Sequence, residues 1–377
     1  MIPASLSPES VPLDQRDRSL DAVRGLAILG ILLANITALV GPALLETRPT
    51  LQPGETWLAA AQAFFVSGKF RGLLSLVFGV GIAIQFAGFA GHSASFGKTM
   101  IRRMLVLLGI GLFHAVFIWG GDILVTYAIT GLATFWIASQ ARSLQLGFAI
   151  SLLGLAVLMG VGVAFIPADA MLDPLKEWER NAFTRGHYGD QTLFRLAFLG
   201  LSLPSAIFML AMPASLFMLG IHMWQTGALA FSPESRGLRT GIWVAFAVGV
   251  VISAWLASLV GTGAWSAGGE AIDAGISLLV APGLLLAATA LFRAVPRFIA
   301  HPFMAVGRYA LTIYILQSVM VVTYVLVTRT WGDYSFTEAI RTSLVFGAIS
   351  MVVAMLFDAT KQRGPLETLY RRASGRL

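Results

Sequence analysis

Apolar runs of helical length recur along almost the whole chain, separated by short polar segments that hold glycine, proline and charged residues. An α-helix needs about 20 apolar residues to cross a bilayer. The pattern predicts ten membrane-spanning helices, at residues 22–44, 70–91, 102–120, 123–140, 145–166, 195–223, 239–260, 271–292, 304–327 and 338–357. The expected fold class is therefore an all-α polytopic membrane protein with a single transmembrane domain over residues 1–377.

Four segments lie outside these spans. Residues 1–19 and 359–377 are polar and form an N-terminal segment and a tail. Residues 56–68 are too short to span and are expected to form a helix at the outer surface. Residues 167–194 form the longest outer loop, which either caps an external cavity or is a solvated amphipathic segment.

The composition supports a membrane protein and excludes a large soluble domain. The chain is 57% hydrophobic and only 12% charged, with a mean hydropathy of +0.79, whereas soluble domains are about 25% charged. Its net charge of +7 comes from basic residues in alternate loops. The positive-inside rule then places both termini in the cytoplasm and explains the charge without nucleic-acid binding.

Metal and thiol chemistry find no support in the residues. The chain has no cysteine, and its five histidines fall in different segments without the spacing of a metal site. We therefore expect no metal and no tightly bound cofactor.

Three predicted spans begin with an arginine and carry polar residues roughly 14–17 Å further along the helix axis. The sets are Arg24 with Asn35, Arg103 with His114, and Arg308 with Gln317 and Ser318. Ionisable side chains at such depth usually face a packed interior or a cavity and mark functional sites. The alternative is structural: the polar groups hydrogen-bond between helices, and the histidine packs against a backbone carbonyl.

A histidine at mid-depth suits acyl-transfer chemistry. His114 can act as a general base or as a transient acyl carrier, and Asn35 can orient the imidazole or donate to an oxyanion. Gln317 and Ser318 are candidate substrate ligands. Asp122 follows His114 by eight residues, about 12 Å in a straight helix, so we expect no direct contact and assign it to the acceptor at the outer mouth.

The arginines at the predicted inner face suit a donor that carries phosphate groups. Arg24, Arg102, Arg103 and Arg308 are the candidates, since they lie on the spans that hold the buried polar groups. Simple topology anchors are the alternative for most basic residues of the chain.

Five blocks resemble the conserved blocks of the YeiB-like family of bacterial inner-membrane proteins, in the same order. They are residues 18–36, 68–83, 102–132, 307–320 and 364–372. That family is similar in turn to the transmembrane acyltransferase superfamily, which includes heparan-α-glucosaminide N-acetyltransferase. The resemblance implies a transmembrane acyltransferase-like bundle in the inner membrane, and transfer of an acyl group from cytoplasmic acyl-CoA, acetyl-CoA for example, to a carbohydrate or lipid-linked acceptor on the periplasmic side.

The opening block carries the closest match to that superfamily, through Asp21, Arg24, Gly25 and Asn35. The bacterial acyltransferases have a histidine 11 residues after the arginine, where this chain has Asn35. The lysosomal enzyme has asparagine there and its catalytic histidine shortly after. This chain has no histidine between Asn35 and His92, so His114 is the hypothesised substitute.

Two other functions fit the same residues. A transporter or flippase for an anionic or lipid-linked substrate would line its path with them, although no internal repeat supports the usual halves of a transporter. A non-catalytic subunit for cell-envelope assembly would copurify with a partner and bind no CoA. Small residues in the spans could also support a homodimer.

Overall fold

The computed structural model describes residues 18–42, 51–89, 93–164, 169–260 and 267–373, and every regular element in these ranges is helical. The α-helices are α1 (Arg18–Val40), α2 (Thr56–Phe65), α3 (Lys69–Ala87), α4 (Ser93–Phe117), α5 (Leu124–Thr134), α6 (Arg142–Ala164), α7 (Asp169–Thr184), α8 (Tyr188–Met209), α9 (Ala211–Gln225), α10 (Arg236–Ser258), α11 (Ala267–Ala294), α12 (Arg297–Arg308), α13 (Ala310–Thr328), α14 (Phe336–Ala359) and α15 (Pro365–Ala373). Short 3₁₀ helices follow α5 (Phe135–Ser139) and precede α10 (Pro233–Ser235). The all-α prediction is confirmed.

Within the described ranges, seven helical stretches are long and apolar enough to cross a membrane. They are Arg18–Val40, Thr56–Ala87, Ser95–Phe117, Pro233–Ser258, Gly275–Ala294, Ala310–Thr328 and Phe336–Ala359. Two further apolar helices, Leu124–Ser139 and Arg142–Leu158, are shorter. The chain is thus a multi-pass helical protein, while the count of ten spans and the cytoplasmic termini stay predictions. The N-terminal segment, residues 1–19, lies outside the described residues except for its last two.

The two helices α2 and α3 are separated by a turn at residues 66–68. Gly68 adopts φ of 70° there, a conformation that glycine reaches without steric cost. The short helix expected at residues 56–68 is therefore a helix of its own, α2, although it belongs with α3 to the single apolar stretch Thr56–Ala87. Its position at the outer membrane surface stays a prediction.

The predicted span at 195–223 is two helices, because the helix is interrupted at Leu210, between α8 and α9. Pro213 lies in the first turn of α9. Proline has no N–H to donate to the fourth residue before it, and its ring crowds that carbonyl, so the first turn is where a helix accommodates proline most easily. Pro213 thus sets where α9 begins.

Two glycines hold α1 against α12 at backbone contact. A Cβ atom at Gly25 would lie 1.9 Å from the carbonyl oxygen of Phe303, and one at Gly307 would lie 1.8 Å from that of Asp21. Only a residue without a side chain fits either position. The contact brings the start of α1 beside the junction of α12 and α13.

The tail helix α15 docks on that same end of the bundle. The Glu367 carboxylate accepts hydrogen bonds from the backbone N–H of Leu311 at 2.9 Å and of Thr312 at 3.0 Å, at the start of α13. The Tyr309 hydroxyl donates to the carbonyl oxygen of Gln362 at 2.9 Å. Because the first N–H groups of a helix lack partners of their own, the tail completes α13.

A buried carboxylate joins the opposite end of the bundle. Glu55 is 6% exposed and accepts hydrogen bonds from the N–H of Gln52 at 2.8 Å and of Thr337 at 2.7 Å, in the first turn of α14. Burial raises the pKa of Glu55, but the hydrogen bonds from Gln52, Thr337 and Phe336 outweigh it and lower the pKa to about 2. The charged form is therefore the one that the fold binds.

We expect Gly25→Ala and Gly307→Ala each to lower the free energy of unfolding by about 1–3 kcal/mol, because the new methyl group must push two backbones apart. Thermal unfolding in detergent measures the effect. Gly81→Ala is the matched control, since its Cβ would meet no atom within 4 Å. Equal melting temperatures for the three variants would contradict a backbone contact at these glycines.

We expect the stability supplied by Glu55 to be complete above its unfolded pKa, near 4.5, and to be lost as the pH falls from there toward 2. Glu55→Gln should lower the free energy of unfolding by about 1–3 kcal/mol at neutral pH and should flatten this acid limb of the melting curve. Glu177→Gln, at an exposed position on α7, serves as the control. An acid limb that is unchanged in the Glu55 variant would refute the assignment.

Candidate functional site

His114 and Asp122 are in direct contact, which corrects the prediction that helical rise keeps them apart. The His114 Nδ1 and Asp122 Oδ1 atoms are 2.8 Å apart. The separation estimate failed because it assumed a straight helix. In the structure α4 ends at Phe117, where the N–H groups of Ile118 and Trp119 both donate to the His114 carbonyl, and the chain folds back before α5.

Asp122 is held in place by the helix that follows it. Its Oδ2 accepts from the N–H of Val125 at 2.8 Å, one of the first N–H groups of α5, which have no partner within the helix. Gly111 allows the close approach of α4 and α5, since a Cβ atom there would lie 2.7 Å from the Val125 nitrogen. The carboxylate therefore presents Oδ1 to His114 from a fixed backbone.

The pair is shielded from solvent. The His114 side chain is 0% exposed and that of Asp122 is 1% exposed. An ionised carboxylate only accepts hydrogen bonds, so it places the proton on Nδ1 and leaves Nε2 as the acceptor of the neutral ring. The His114 Nε2 atom is buried and has no hydrogen-bond partner, which makes it available to a ligand group.

Tyr314 and Trp119 surround the imidazole, and the residue pattern alone did not single out either of them. The Tyr314 ring lies 5.3 Å from the His114 ring and the Trp119 ring lies 6.5 Å from it. The Tyr314 hydroxyl accepts from the N–H of Ile123 at 3.3 Å and is 3.5 Å from Asp122 Oδ1. Tyr314 precedes Gln317 by three residues and so shares its helix face, a signal that could have found it.

Asn35, Gln317 and Ser318, which were predicted to lie at one depth, line one small cavity. Its other walls are Ile31, Leu32, Leu39, Trp119 and Tyr314, and its volume is about 10 Å³, close to the minimum for one water molecule. The Nε2 atom of Gln317 is buried without a partner. Tyr314 and Trp119 separate this cavity from His114, and Asp122 rather than Asn35 takes the orienting position on the imidazole.

The four predicted donor ligands fall into two pairs, each engaged with the protein. Arg24 pairs with Asp21 at 3.1 Å and donates to the Gly307 carbonyl at 3.4 Å, while Arg308 pairs with Asp358. Their side chains are 30% and 32% exposed.

The other pair lies against the tail helix. Arg103 Nε donates to the Tyr370 hydroxyl at 3.3 Å and its guanidinium stacks on that ring at 4.7 Å, and Arg102 donates to the Ala373 carbonyl at 3.5 Å. Arg103 remains about 16 Å from His114 by helical rise. The arginines and the histidine are thus at different depths of the same helix.

A second cavity, of about 20 Å³, is lined by α7 and α8, which form most of the predicted outer loop. It includes Glu179, Gln191 and Arg195 and shares Leu39 and Trp119 with the first cavity. The sequence predicted a cavity-capping loop as one of two alternatives, and the described part of this segment does line a cavity. Arg195 was not identified, because it was placed at the start of a membrane span.

Comparison with known proteins finds a partial match to a family model and several relatives, none with a named activity. Residues 223–376 match a family model described as "Protein of unknown function (DUF418)". A stretch of 158 residues is 32% identical to "Uncharacterized protein YeiB" of Escherichia coli (strain K12), covering 40% of this chain and 39% of that relative. These matches support the resemblance to the YeiB-like family.

Two other relatives align over almost their whole length. "Uncharacterized protein YxaH" of Bacillus subtilis (strain 168) is 27% identical, with 96% of this chain and 94% of the relative covered. "Uncharacterized 39.9 kDa protein in amylase 3'region" of Bacillus acidopullulyticus is 23% identical, with 96% and 95% covered. No solved structure matches the chain. The likeness therefore extends over the whole chain, and its chemistry must be argued from the site.

Proposed function

We propose that this YeiB-like protein is a membrane-bound acyltransferase of the bacterial inner membrane. It would move an acyl group from cytoplasmic acyl-CoA to a sugar or lipid-linked acceptor on the periplasmic side. The observation that carries the proposal is the buried His114–Asp122 pair, whose His114 Nε2 has no partner in the protein. A histidine oriented by a carboxylate, with its second nitrogen available, is the arrangement of a general base.

The reaction would use that nitrogen twice. Nε2 takes the proton from an acceptor hydroxyl or amine as its oxygen or nitrogen attacks the thioester carbonyl. The C–S bond then breaks, and the imidazolium returns the proton to the CoA thiolate. Asp122 stabilises the imidazolium between these steps and keeps the ring from turning, since its own position is fixed by the Val125 N–H.

The donor would bind at the end of the bundle that carries the arginines. Arg24 and Arg308 are part-exposed, and their carboxylate partners, Asp21 and Asp358, are side chains that phosphate groups can displace. The long pantetheine arm of CoA would cover the depth between these arginines and His114. The amide of Gln317, with an unpartnered Nε2, is a donor for the oxyanion that forms on the thioester carbonyl.

A transporter or flippase of an anionic or lipid-linked substrate is the second candidate. The observation that favours it is the row of two adjoining cavities, which share Trp119 and Leu39 and carry Arg195 at one end and Gln317 at the other. A transporter would use these groups as steps on a path and would leave a thioester intact. Cleavage of acyl-CoA therefore separates the two functions.

We expect acetyl-CoA or a longer acyl-CoA to stabilise the purified protein in detergent. A ligand at 100 times its dissociation constant adds about 2.7 kcal/mol to the free energy of unfolding, which a thermal-shift measurement detects. The shift should shrink in Arg24→Gln and Arg308→Gln. Arg185→Gln, at an exposed position between α7 and α8, controls for net charge. Absence of a shift with any acyl-CoA would favour the transporter.

We expect His114→Gln to lower the rate of CoA release from acyl-CoA by about 10²–10⁴-fold, the usual worth of a positioned general base. The measurement is thiol release by protein in vesicles supplied with polar lipids and oligosaccharides. Asp122→Asn should also slow the reaction, because an amide can donate to Nδ1 and so favour the wrong tautomer.

His187→Gln is the matched control, because His187 is exposed and precedes α8. Its rate should equal that of the native protein. Full activity in a folded His114→Gln variant would remove His114 from the mechanism and leave it as a packed structural residue.

A further inference from the structure

Arg195 is a charged side chain enclosed in the protein without a carboxylate partner. It is 1% exposed and belongs to α8. Its Nη2 donates to the Gln191 amide oxygen at 3.3 Å, and its guanidinium lies 5.1 Å from the Phe183 ring and 5.6 Å from the Tyr188 ring. Its Nη1 has no hydrogen-bond partner. One amide oxygen and two aromatic rings therefore surround a full positive charge.

This environment leaves part of the cost of burial unmet. Burying a charge without an opposite charge carries a large desolvation penalty, and cation–π contacts offset only part of it. Arginine binds carboxylate and phosphate groups through two parallel N–H donors, and Nη1 and Nη2 of Arg195 include such a pair. Arg195, which carries the unpartnered Nη1, is one of the residues that line the second cavity.

The walls of that cavity are otherwise mostly apolar. Val322, Val325 and Leu326 of α13 line one side, and Trp331 stacks on Phe183 at 5.0 Å. Buried Glu179 lines the same cavity. Its carboxylate would repel a second negative group on the ligand and can accept hydrogen bonds from ligand hydroxyl groups. The chemistry matches the head group of an amphipathic molecule better than a free, fully hydrated ion.

The position of the cavity connects it to His114. The Tyr188 hydroxyl, whose ring lies under Arg195, donates to the carbonyl of Phe117, the last residue of α4 and the third after His114. Trp119 lines both cavities and packs against the imidazole. A molecule anchored on Arg195 would therefore lie beside Trp119, whose ring contacts the imidazole.

We propose that this cavity binds the carboxylate or phosphate group of an amphipathic molecule through Arg195. The assignment names the chemical class of the acceptor, and in that one respect it rests on the acyl transfer proposed above. Binding itself requires only Arg195 and the surrounding walls. The small volume of about 20 Å³ means that the ligand must displace Trp331 or the end of α7 and the start of α8 as it enters.

The experiment is a thermal-shift titration of the full-length protein in an uncharged detergent. The probes are dodecyl phosphate and dodecanoate, with dodecanol as the uncharged analogue and inorganic phosphate as the analogue without a chain. We expect saturable stabilisation by the two anionic amphiphiles and none by dodecanol or inorganic phosphate. Stabilisation by dodecanol to the same extent would overturn recognition of the anion, and equal stabilisation by inorganic phosphate would overturn the amphiphile.

Variants tie the binding to the cavity. Arg195→Gln should raise the apparent dissociation constant for dodecyl phosphate by about tenfold or more, because one charge-assisted hydrogen bond is lost. Val322→Phe should raise this constant to a similar extent, because the larger side chain fills the cavity while Arg195 is kept. It tests binding in the cavity if Arg195→Gln does not fold. Arg185→Gln, which removes an exposed charge, should change it by no more than about twofold. Native affinity in both cavity variants would overturn the site.

The failure of this proposal and of the acyl transfer can be told apart. His114→Gln should bind dodecyl phosphate with native affinity while it loses CoA release. Arg195-dependent binding in a native protein that never cleaves acyl-CoA would support the site and contradict the enzyme. CoA release that is unchanged in Arg195→Gln and Val322→Phe would contradict the role of the cavity in holding the acceptor.

Discussion

The protein depends on supplying acceptors to helix N-termini, whose first N–H groups have no partner within their own helix. Three carboxylates do this from a distant or preceding segment. Glu55 accepts from the start of α14, Asp122 from the start of α5 and Glu367 from the start of α13. In a chain that is only 12% charged, these acids fix where helices begin, and Asp122 orients the candidate catalytic histidine as well.

The sequence predicted the helical architecture and the depth of one polar set, because both follow from local rules. Helical rise placed Asn35, Gln317 and Ser318 at one level, and the structure puts them around one cavity. The estimate works since Gly25 meets Gly307 at the shared starting level, so α1 and α13 advance together. The glycines at positions 25 and 307 are the only feature of the sequence that reflects this contact. A glycine at one position does not indicate which residue it contacts.

The His114–Asp122 contact could not be found in that way. It depends on where α4 ends and on how residues 118–123 turn back toward it. Neither can be predicted from the spacing of hydrophobic residues. Tyr314 and Arg195 were missed for a related reason: each acts through residues of other helices. Arg195 receives its environment from Phe183 on α7 and from Gln191 one turn earlier. Residue type and spacing describe one helix at a time, whereas these sites are formed between helices.

The arginine ion pairs at the donor end are consistent with a site that opens for a ligand. Arg24 and Arg308 are about one third exposed, and their pairs with Asp21 and Asp358 lie beside solvent. Ion pairs in such settings contribute roughly 0–1 kcal/mol, and an arginine–phosphate contact replaces such a pair with a stronger one. The His114–Asp122 pair differs in kind, because both groups are enclosed and removal of either leaves the other unpaired at several kcal/mol. The chain thus keeps its replaceable charge pairs at the surface and its fixed pair at the centre, which is the division that the proposed donor binding and the proposed proton transfer would each require.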